Sequence, residues 1–348
     1  MEPSREPTNL QDTLRALLAG RRLSREEARA TFSSALDESA DPVVFGGILT
    51  ALAQRRETPD EIAGVADALR GAMLPFEHDA PDAIDTCGTG GDGLGTFNLS
   101  TAAALVACAA GARVLKHGNR SLSSRCGSAD LLEQAGLPLE LTPEAARATF
   151  EEVGITFLFA PAYHPAMRFA APVRRALGVR TVFNYVGPLC NPGRVRRQLL
   201  GVSDADRLGD FAVVLQGLEH ERAYVVHGGG GADELTLEDE NRVASVGDVP
   251  PESFAPADLG LVQSPVSNLA GGDAARNLEL LQGVLAGETG PLRDAVLLNT
   301  SAALVVADVA SDAREGVERA REALDSGAAR GKLTAWVDTA RKLAGADS

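Results

Sequence analysis

The chain has 348 residues, 45% of them hydrophobic, and carries 48 acidic against 33 basic side chains, a net charge of -15. That length favours two domains with a sizeable core, and that charge argues against an accessible nucleic-acid-binding face. The four cysteines, Cys87, Cys108, Cys126 and Cys190, show no Cys-x-x-Cys spacing, so they read as reduced, buried thiols rather than a zinc or disulfide framework. The longest apolar stretch, near residues 102–112, is too short and alanine-rich to span a bilayer. Residues 1–20 read as a polar arm followed by a helix rather than a secretory signal, so a soluble, cytoplasmic protein is expected.

In chain order, residues 9–75 read as helical throughout. Ser24-Arg-Glu-Glu27 and Thr58-Pro-Asp-Glu61 have the spacing of capping boxes, in which hydroxyl and carboxylate satisfy orphan backbone N–H groups at a helix start. Pro59 suits a first helical position. Between the boxes, residues 42–52 carry apolar side chains at helical spacing. From Asp82 onward, short β-rich runs at 113–116, 155–159, 222–227 and 242–246 alternate with helical segments. This alternation predicts a largely parallel sheet flanked by helices. Residues 165–185 read as helical again, and 312–343 as amphipathic with a solvated charged face. No period of internal repetition is evident.

Against the acidic background, two long windows hold no Asp or Glu. Residues 93–129 contain Arg113, Lys116, Arg120 and Arg125; residues 153–203 contain Arg168, Arg174, Arg175, Arg180, Arg194, Arg196 and Arg197. Windows cleared of carboxylates and furnished with cations predict anion binding. The first opens on Asp85-Thr-Cys-Gly-Thr-Gly-Gly-Asp-Gly93 and continues to Asn98-Leu-Ser-Thr101, which reads as strand end, glycine loop and helix start. Such a loop lets backbone N–H groups converge on a phosphate. Gly88-x-Gly90-x-x-Gly93 matches the dinucleotide fingerprint, but the acidic residue expected about 20 positions on is missing. The next one is Asp130, and no P-loop lysine motif is present. A second apolar run ends in Lys116-His-Gly-Asn-Arg120, at the edge where open α/β sheets bind ligands. Ser123 and Ser124 add hydroxyl donors.

Seven segments in order resemble the anthranilate phosphoribosyltransferase family of tryptophan synthesis. They are Gly88-Thr-Gly-Gly-Asp-Gly93, Lys116-His-Gly-Asn-Arg120, Gly127-Ser-Ala-Asp130, Tyr163-His-Pro-Ala-Met167, Arg174-Arg-Ala-Leu-Gly-Val-Arg-Thr-Val-Phe-Asn184, Gly187-Pro-Leu-Cys-Asn-Pro192 and Asp233-Glu234. The resemblance covers nearly the whole chain. It implies an α/β protein with a small all-helical domain, residues 9–75 plus a returning segment at about 168–185. It also implies a larger phosphoribosyl-binding domain, residues 80–165 and 186–345, with a mostly parallel central sheet flanked by helices. A hinge between the two and a homodimer complete the expectation.

The implied reaction moves the phosphoribosyl group of phosphoribosyl pyrophosphate to the amine of anthranilate, with Mg2+ as cofactor. On that resemblance phosphoribosyl pyrophosphate is expected at Gly88, Gly90, Gly91, Asp92, Thr96, Asn98, Ser100, Thr101, Lys116, Asn119, Ser123, Ser124 and Ser128. Anthranilate is expected at Gly88, His117, Asn119, Tyr163, His164 and Arg174, with the planar Arg174 guanidinium facing its carboxylate. Ser100, Asp233 and Glu234 are the expected metal ligands. Displacement at an anomeric carbon needs positioning and charge neutralisation, so no residue is assigned as acid, base or nucleophile. Sequence alone leaves two alternatives: a pyrimidine nucleoside phosphorylase-like enzyme and a non-catalytic relative that binds nucleic acid.

Overall fold

The computed structural model describes residues 9–121, 125–238 and 240–346. The chain runs α1 (Leu10–Leu18), α2 (Arg25–Ala35), α3 (Pro42–Arg55), α4 (Pro59–Ala72), β1 (Ile84–Gly88), α5 (Leu99–Ala109) and β2 (Val114–Gly118). It continues with α6 (Ser128–Gln134), α7 (Pro143–Val153), β3 (Ile155–Phe159), α8 (Ala160–Tyr163), α9 (Met167–Leu177), α10 (Phe183–Val186) and β4 (Arg197–Gly201). Then follow α11 (Leu208–Gly217), β5 (Arg222–His227), β6 (Arg242–Gly247), α12 (Ala274–Leu285), α13 (Pro291–Val306), α14 (Ala313–Asp325) and α15 (Ala328–Ala346).

Residues up to 75 and residues 161–192 form one compact unit. Both capping boxes form: Ser24 and Glu27 close the start of α2, and Thr58 and Glu61 close the start of α4. Glu61 is fully buried and also accepts from the backbone of Leu23 at 2.8 Å. Burial alone would raise its pKa, but Arg55 and the N–H groups of Thr58 and Leu23 outweigh that and hold it below the usual range. Phe32, Phe45 and Phe183 pack edge to face with centroids 5.8–6.0 Å apart, so the returning segment shares the core of the amino-terminal helices. This segment is longer than the expected 168–185. Backbone pairing from Leu74 N to Tyr163 O (2.8 Å) ties its start, and Arg70 Nε to Leu189 O (2.6 Å) ties its end. Its helix also stops earlier than expected, at Gly178, which takes a left-handed conformation.

Residues 76–160 and 193–348 form the second unit. Its six-stranded sheet has the order β3-β2-β1-β4-β5-β6, parallel except for the antiparallel edge pair β5–β6. Strands β1 to β5 are short and largely buried on both faces, as parallel strands covered by helices must be, while the edge strand β6 is partly exposed. The small-residue helix α5 and the apolar helix α13 are almost wholly buried and supply much of the core. Strand β4 escaped the sequence reading. Its Arg-Gln-Leu-Leu-Gly composition has neither alternation nor β-branched residues, and only pairing with β1 and β4's neighbour β5 makes it a strand. The run 312–343 is two helices, parted at Gly327, whose positive φ ends α14. Among the described residues no helix is long and apolar enough to cross a membrane.

The cations of the acid-free windows are largely spent on structure. Arg197 donates to Ala307 O at 2.7 Å, and with Arg222 it caps the carboxy-terminal end of α13. Arg196 pairs with Glu221, and Arg120 pairs with Asp130 and Glu133. Arg113 lies over the ring of Phe150. The expected concentration of free positive charge therefore narrows to a few side chains.

Candidate functional site

The strand order reverses at β1: the chain proceeds to β2 and β3 on one side and returns to β4 and β5 on the other. Loops leaving the carboxy-terminal ends of β1 and β4 splay apart at such a switch point and leave a crevice for a ligand. The loop after β1 carries Gly90, Gly91, Gly93 and Gly95, all with φ between +62° and +77°. Side-chain-bearing residues rarely hold this conformation, so four left-handed glycines let the loop fold into one tight wrap.

Asp233 lies in this crevice. Its Oδ2 accepts from Gly90 N at 2.6 Å. A methyl group at Gly88 would run into its carboxylate, and one at Gly201 into its carbonyl oxygen. Gly201, the last residue of β4, was not foreseen; its only signal in the sequence is a glycine ending a short apolar run. Glu234 reaches the first turn of α5, where its Oε1 accepts from Ser100 N at 2.9 Å. The helix N-terminus that was expected to receive phosphate therefore holds a carboxylate in part. Burial raises the pKa of Asp233 to about 6, with repulsion from Asp92 adding to it, and raises that of Glu234 well above the usual range, with Asp233 adding to it. Asp92 Oδ2 is itself buried without a hydrogen-bond partner among the described residues. Three acidic side chains thus crowd together here with few donors between them. No group of three or more His, Cys, Asp or Glu among the described residues could hold a metal by itself. Mg2+ commonly takes one or two carboxylates and completes its shell with phosphate and water.

Lys116 is 1% exposed and its Nζ donates to Thr86 O at 2.7 Å. Burial lowers its pKa, opposed by Asp85, Cys87 and Glu234. It lies beneath the loop and supports β1, a more structural position than direct contact with phosphate requires. Thr86, also not foreseen, donates its hydroxyl to Ser100 O at 2.9 Å and so connects Lys116 to the start of α5. Asn98 is committed at both ends of its amide, donating to Cys126 O and accepting from Asn277, so it braces the loop rather than offering a donor. Thr101 is buried, and Thr96 makes an isolated bridge to Ala270. Past β2, His117 is mostly buried and Asn119 is exposed. Asn119 O accepts from Ser128 Oγ at 3.4 Å, joining two expected ligands of one substrate. Ser123 and Ser124 lie outside the described residues.

The remaining expected residues belong to the helical unit. Arg174 lies in the last turn of α9, half-buried, with its guanidinium 5.2 Å from the centroid of Phe183. Burial lowers its pKa, and no carboxylate pairs with it among the described residues. Arg175, next along the helix, is exposed. His164 is pushed down to about 4 by burial, against a hydrogen bond with the Cys190 backbone, so its ring is neutral at ordinary pH. Tyr163 is buried beside it.

Comparison with known proteins gives one answer along the chain. Residues 80–330 match the glycosyl transferase family a/b domain, and residues 11–73 match the helical bundle domain of the same family. The anthranilate phosphoribosyltransferase of Chloroflexus aurantiacus is 47% identical over 96% of this chain and 99% of its own length. The crystal structure of the Thermus thermophilus enzyme of that name superposes with a TM-score of 0.89 at 46% identity, covering 94% of this chain and 99% of that one. The Saccharomyces cerevisiae enzyme, solved in complex with PRPP and Mg, superposes with a TM-score of 0.86 at 26% identity, over 96% and 98% of the two chains. The chain belongs to the anthranilate phosphoribosyltransferase family.

Proposed function

We propose that this protein transfers the phosphoribosyl group of phosphoribosyl pyrophosphate to the amine of anthranilate, giving N-(5-phosphoribosyl)anthranilate and pyrophosphate, the second step of tryptophan synthesis from chorismate. The observation that carries the reading is the carboxylate pair Asp233–Glu234, held at the switch point by the N–H groups of Gly90 and Ser100 beside a loop of left-handed glycines. Relatives solved with PRPP and Mg, and with 4-fluoroanthranilate, support it.

The C1–N bond forms as the C1–O bond breaks, and that bond's electron pair leaves with pyrophosphate. Positive charge develops on the ribose and negative charge on the leaving group. Gly88, Gly90 and Gly91 let the backbone approach the phosphates closely, and Ser100 and Ser128 present hydroxyls to them. Asp92 and Asn119 bound the ribose. Asp233 and Glu234, with the Ser100 hydroxyl, hold Mg2+, which supplies positive charge against the departing pyrophosphate. Arg174 holds the anthranilate carboxylate, with neutral His164 and with Tyr163 and His117 flanking the ring. The amine attacks as the free base and its proton passes to solvent, so no side chain is asked to titrate. Chromatography with mass detection tests the reading: product and pyrophosphate should appear in equal amounts, and a product other than phosphoribosyl anthranilate would overturn it.

A pH dependence follows from the raised carboxylates. The folded pKa of Asp233, about 6, lies above its unfolded value. In the metal-free protein this group therefore costs stability at neutral pH, a cost relieved as pH falls through about 6. Metal binding needs the ionised form and has the opposite sign. Calorimetry of magnesium pyrophosphate binding should show affinity falling as pH drops through about 6, towards about tenfold per unit. A flat profile down to pH 5 would contradict the assignment.

The protein is further proposed to act in the cytoplasm as a homodimer joined through its helical unit. Leu18, Val43, Leu74 and Val179 of that unit are large apolar side chains left exposed. Light scattering should give twice the mass of one chain, and Val43→Lys should return it to one.

A further inference from the structure

Residues 233–238, which carry the carboxylate pair, belong to no strand or helix, so no ladder sets their register. Two buried asparagines do so instead. Asn299, on α13 and 2% exposed, accepts from Leu235 N at 3.1 Å and donates through Nδ2 to Leu235 O at 2.8 Å. The same Nδ2 donates to Ala295 O at 2.9 Å in its own helix, which fixes the rotamer. Asn241, 4% exposed, treats the next residue alike: its Oδ1 accepts from Thr236 N at 2.9 Å and its Nδ2 donates to Thr236 O at 3.0 Å. A second bond from Asn241 Nδ2 reaches Phe254 O at 2.9 Å. A side-chain amide facing a peptide in this way supplies the donor and acceptor that a neighbouring strand would supply. Leu235 and Thr236 are fully buried, so water cannot take over those bonds.

We propose that Asn299 is a positioning residue for the carboxylate pair. Acting through the Leu235 peptide, one residue beyond Glu234, and seconded by Asn241, it fixes where Asp233 and Glu234 point and thereby sets the affinity for magnesium pyrophosphate. The inference rests on the reading of Asp233 and Glu234 as the metal pair. The residue lies 65 positions downstream of Glu234 on a largely buried helix, and its side-chain hydrogen bonds reach Leu235 and Ala295, neither of which is expected to bind substrate.

Asn299→Leu keeps the approximate shape and removes both bonds. Leu298→Ala, on the same helix and fully buried, loses packing but keeps the Asn299 side chain with its bonds to Leu235, and is the control for general destabilisation. In the metal-free proteins, hydrogen exchange of the peptide covering 233–238 should quicken in Asn299→Leu while that covering β5 is unchanged. Calorimetric affinity for magnesium pyrophosphate should fall about tenfold or more, the usual size for losing a group that orients a metal ligand. The KM for phosphoribosyl pyrophosphate should rise with it and that for anthranilate should stay at the wild-type value. Leu298→Ala should lower the thermal midpoint and leave the affinity intact. Should Asn299→Leu not fold, Asn299→Asp carries the test, since its second oxygen then faces Leu235 O and the affinity should fall likewise. Wild-type exchange and affinity in a folded Asn299 variant would overturn the proposal, as would an equal rise of both KM values. If instead the wild-type protein binds magnesium pyrophosphate no better than Asp233→Asn/Glu234→Gln, the reading of the pair itself fails.

Discussion

Asp233→Asn combined with Glu234→Gln should lower kcat by about a hundredfold or more, because metal charge stabilisation of a leaving group is worth several kcal/mol. The fold should survive. Both carboxylates are raised by burial, so neutral amides suit the metal-free site at least as well. Each amide oxygen can still accept from Gly90 N or Ser100 N. The thermal midpoint without metal should therefore hold or rise, while the added stability from magnesium pyrophosphate disappears. Steady-state kinetics beside thermal scans separate these effects. Undiminished kcat would remove the pair from the mechanism, and loss of the fold would make it structural.

The second large effect separates the substrates. Arg174→Ala removes a charge-assisted pair with the anthranilate carboxylate, worth about 1.5–3 kcal/mol. By that energy the KM for anthranilate should rise roughly ten- to a hundredfold. The KM for phosphoribosyl pyrophosphate should stay put, because its proposed anchors lie in the α/β unit. Arg174 is half-buried against Phe183 with no carboxylate partner among the described residues, an expensive arrangement for a cation with no anion to receive. Arg175 points about 100° away on the same helix, is exposed, and serves as the control: Arg175→Ala should be near neutral. A rise in both KM values for Arg174→Ala would make the residue a support for the helical unit. An effect of Arg175→Ala alone would reassign the role.

Local chemistry made much of this fold legible. The capping boxes at Ser24 and Thr58 form as their spacing requires, since a cap depends on four residues and little else. Strands β2, β3, β5 and β6 fall within a residue or two of their β-rich runs. Strand β4 was illegible because its identity lies in its neighbours: Gln198 and Arg197 become strand residues by pairing with β1 and β5. The site divides in the same way. Gly88 and Gly90 are marked by glycine spacing, whereas Asp233 and Glu234 are marked only by the family resemblance, since an acidic pair alone is usually surface. The supports carry neither mark. Thr86, Gly201, Asn241 and Asn299 act through backbone contacts made across 5 to 64 positions of sequence, and no local pattern marks them. Charge was legible in amount but not in use. The carboxylate-free windows pointed to an anion site, yet Arg197 caps a helix and Arg120 meets two acids of its own.

The reaction itself is tested most directly by the fluorescence of anthranilate. Purified protein should extinguish it when phosphoribosyl pyrophosphate and Mg2+ are both present, and should leave it unchanged when either is withheld. Inert anthranilate under those conditions, with equal or better activity toward thymidine and inorganic phosphate, would contradict the account.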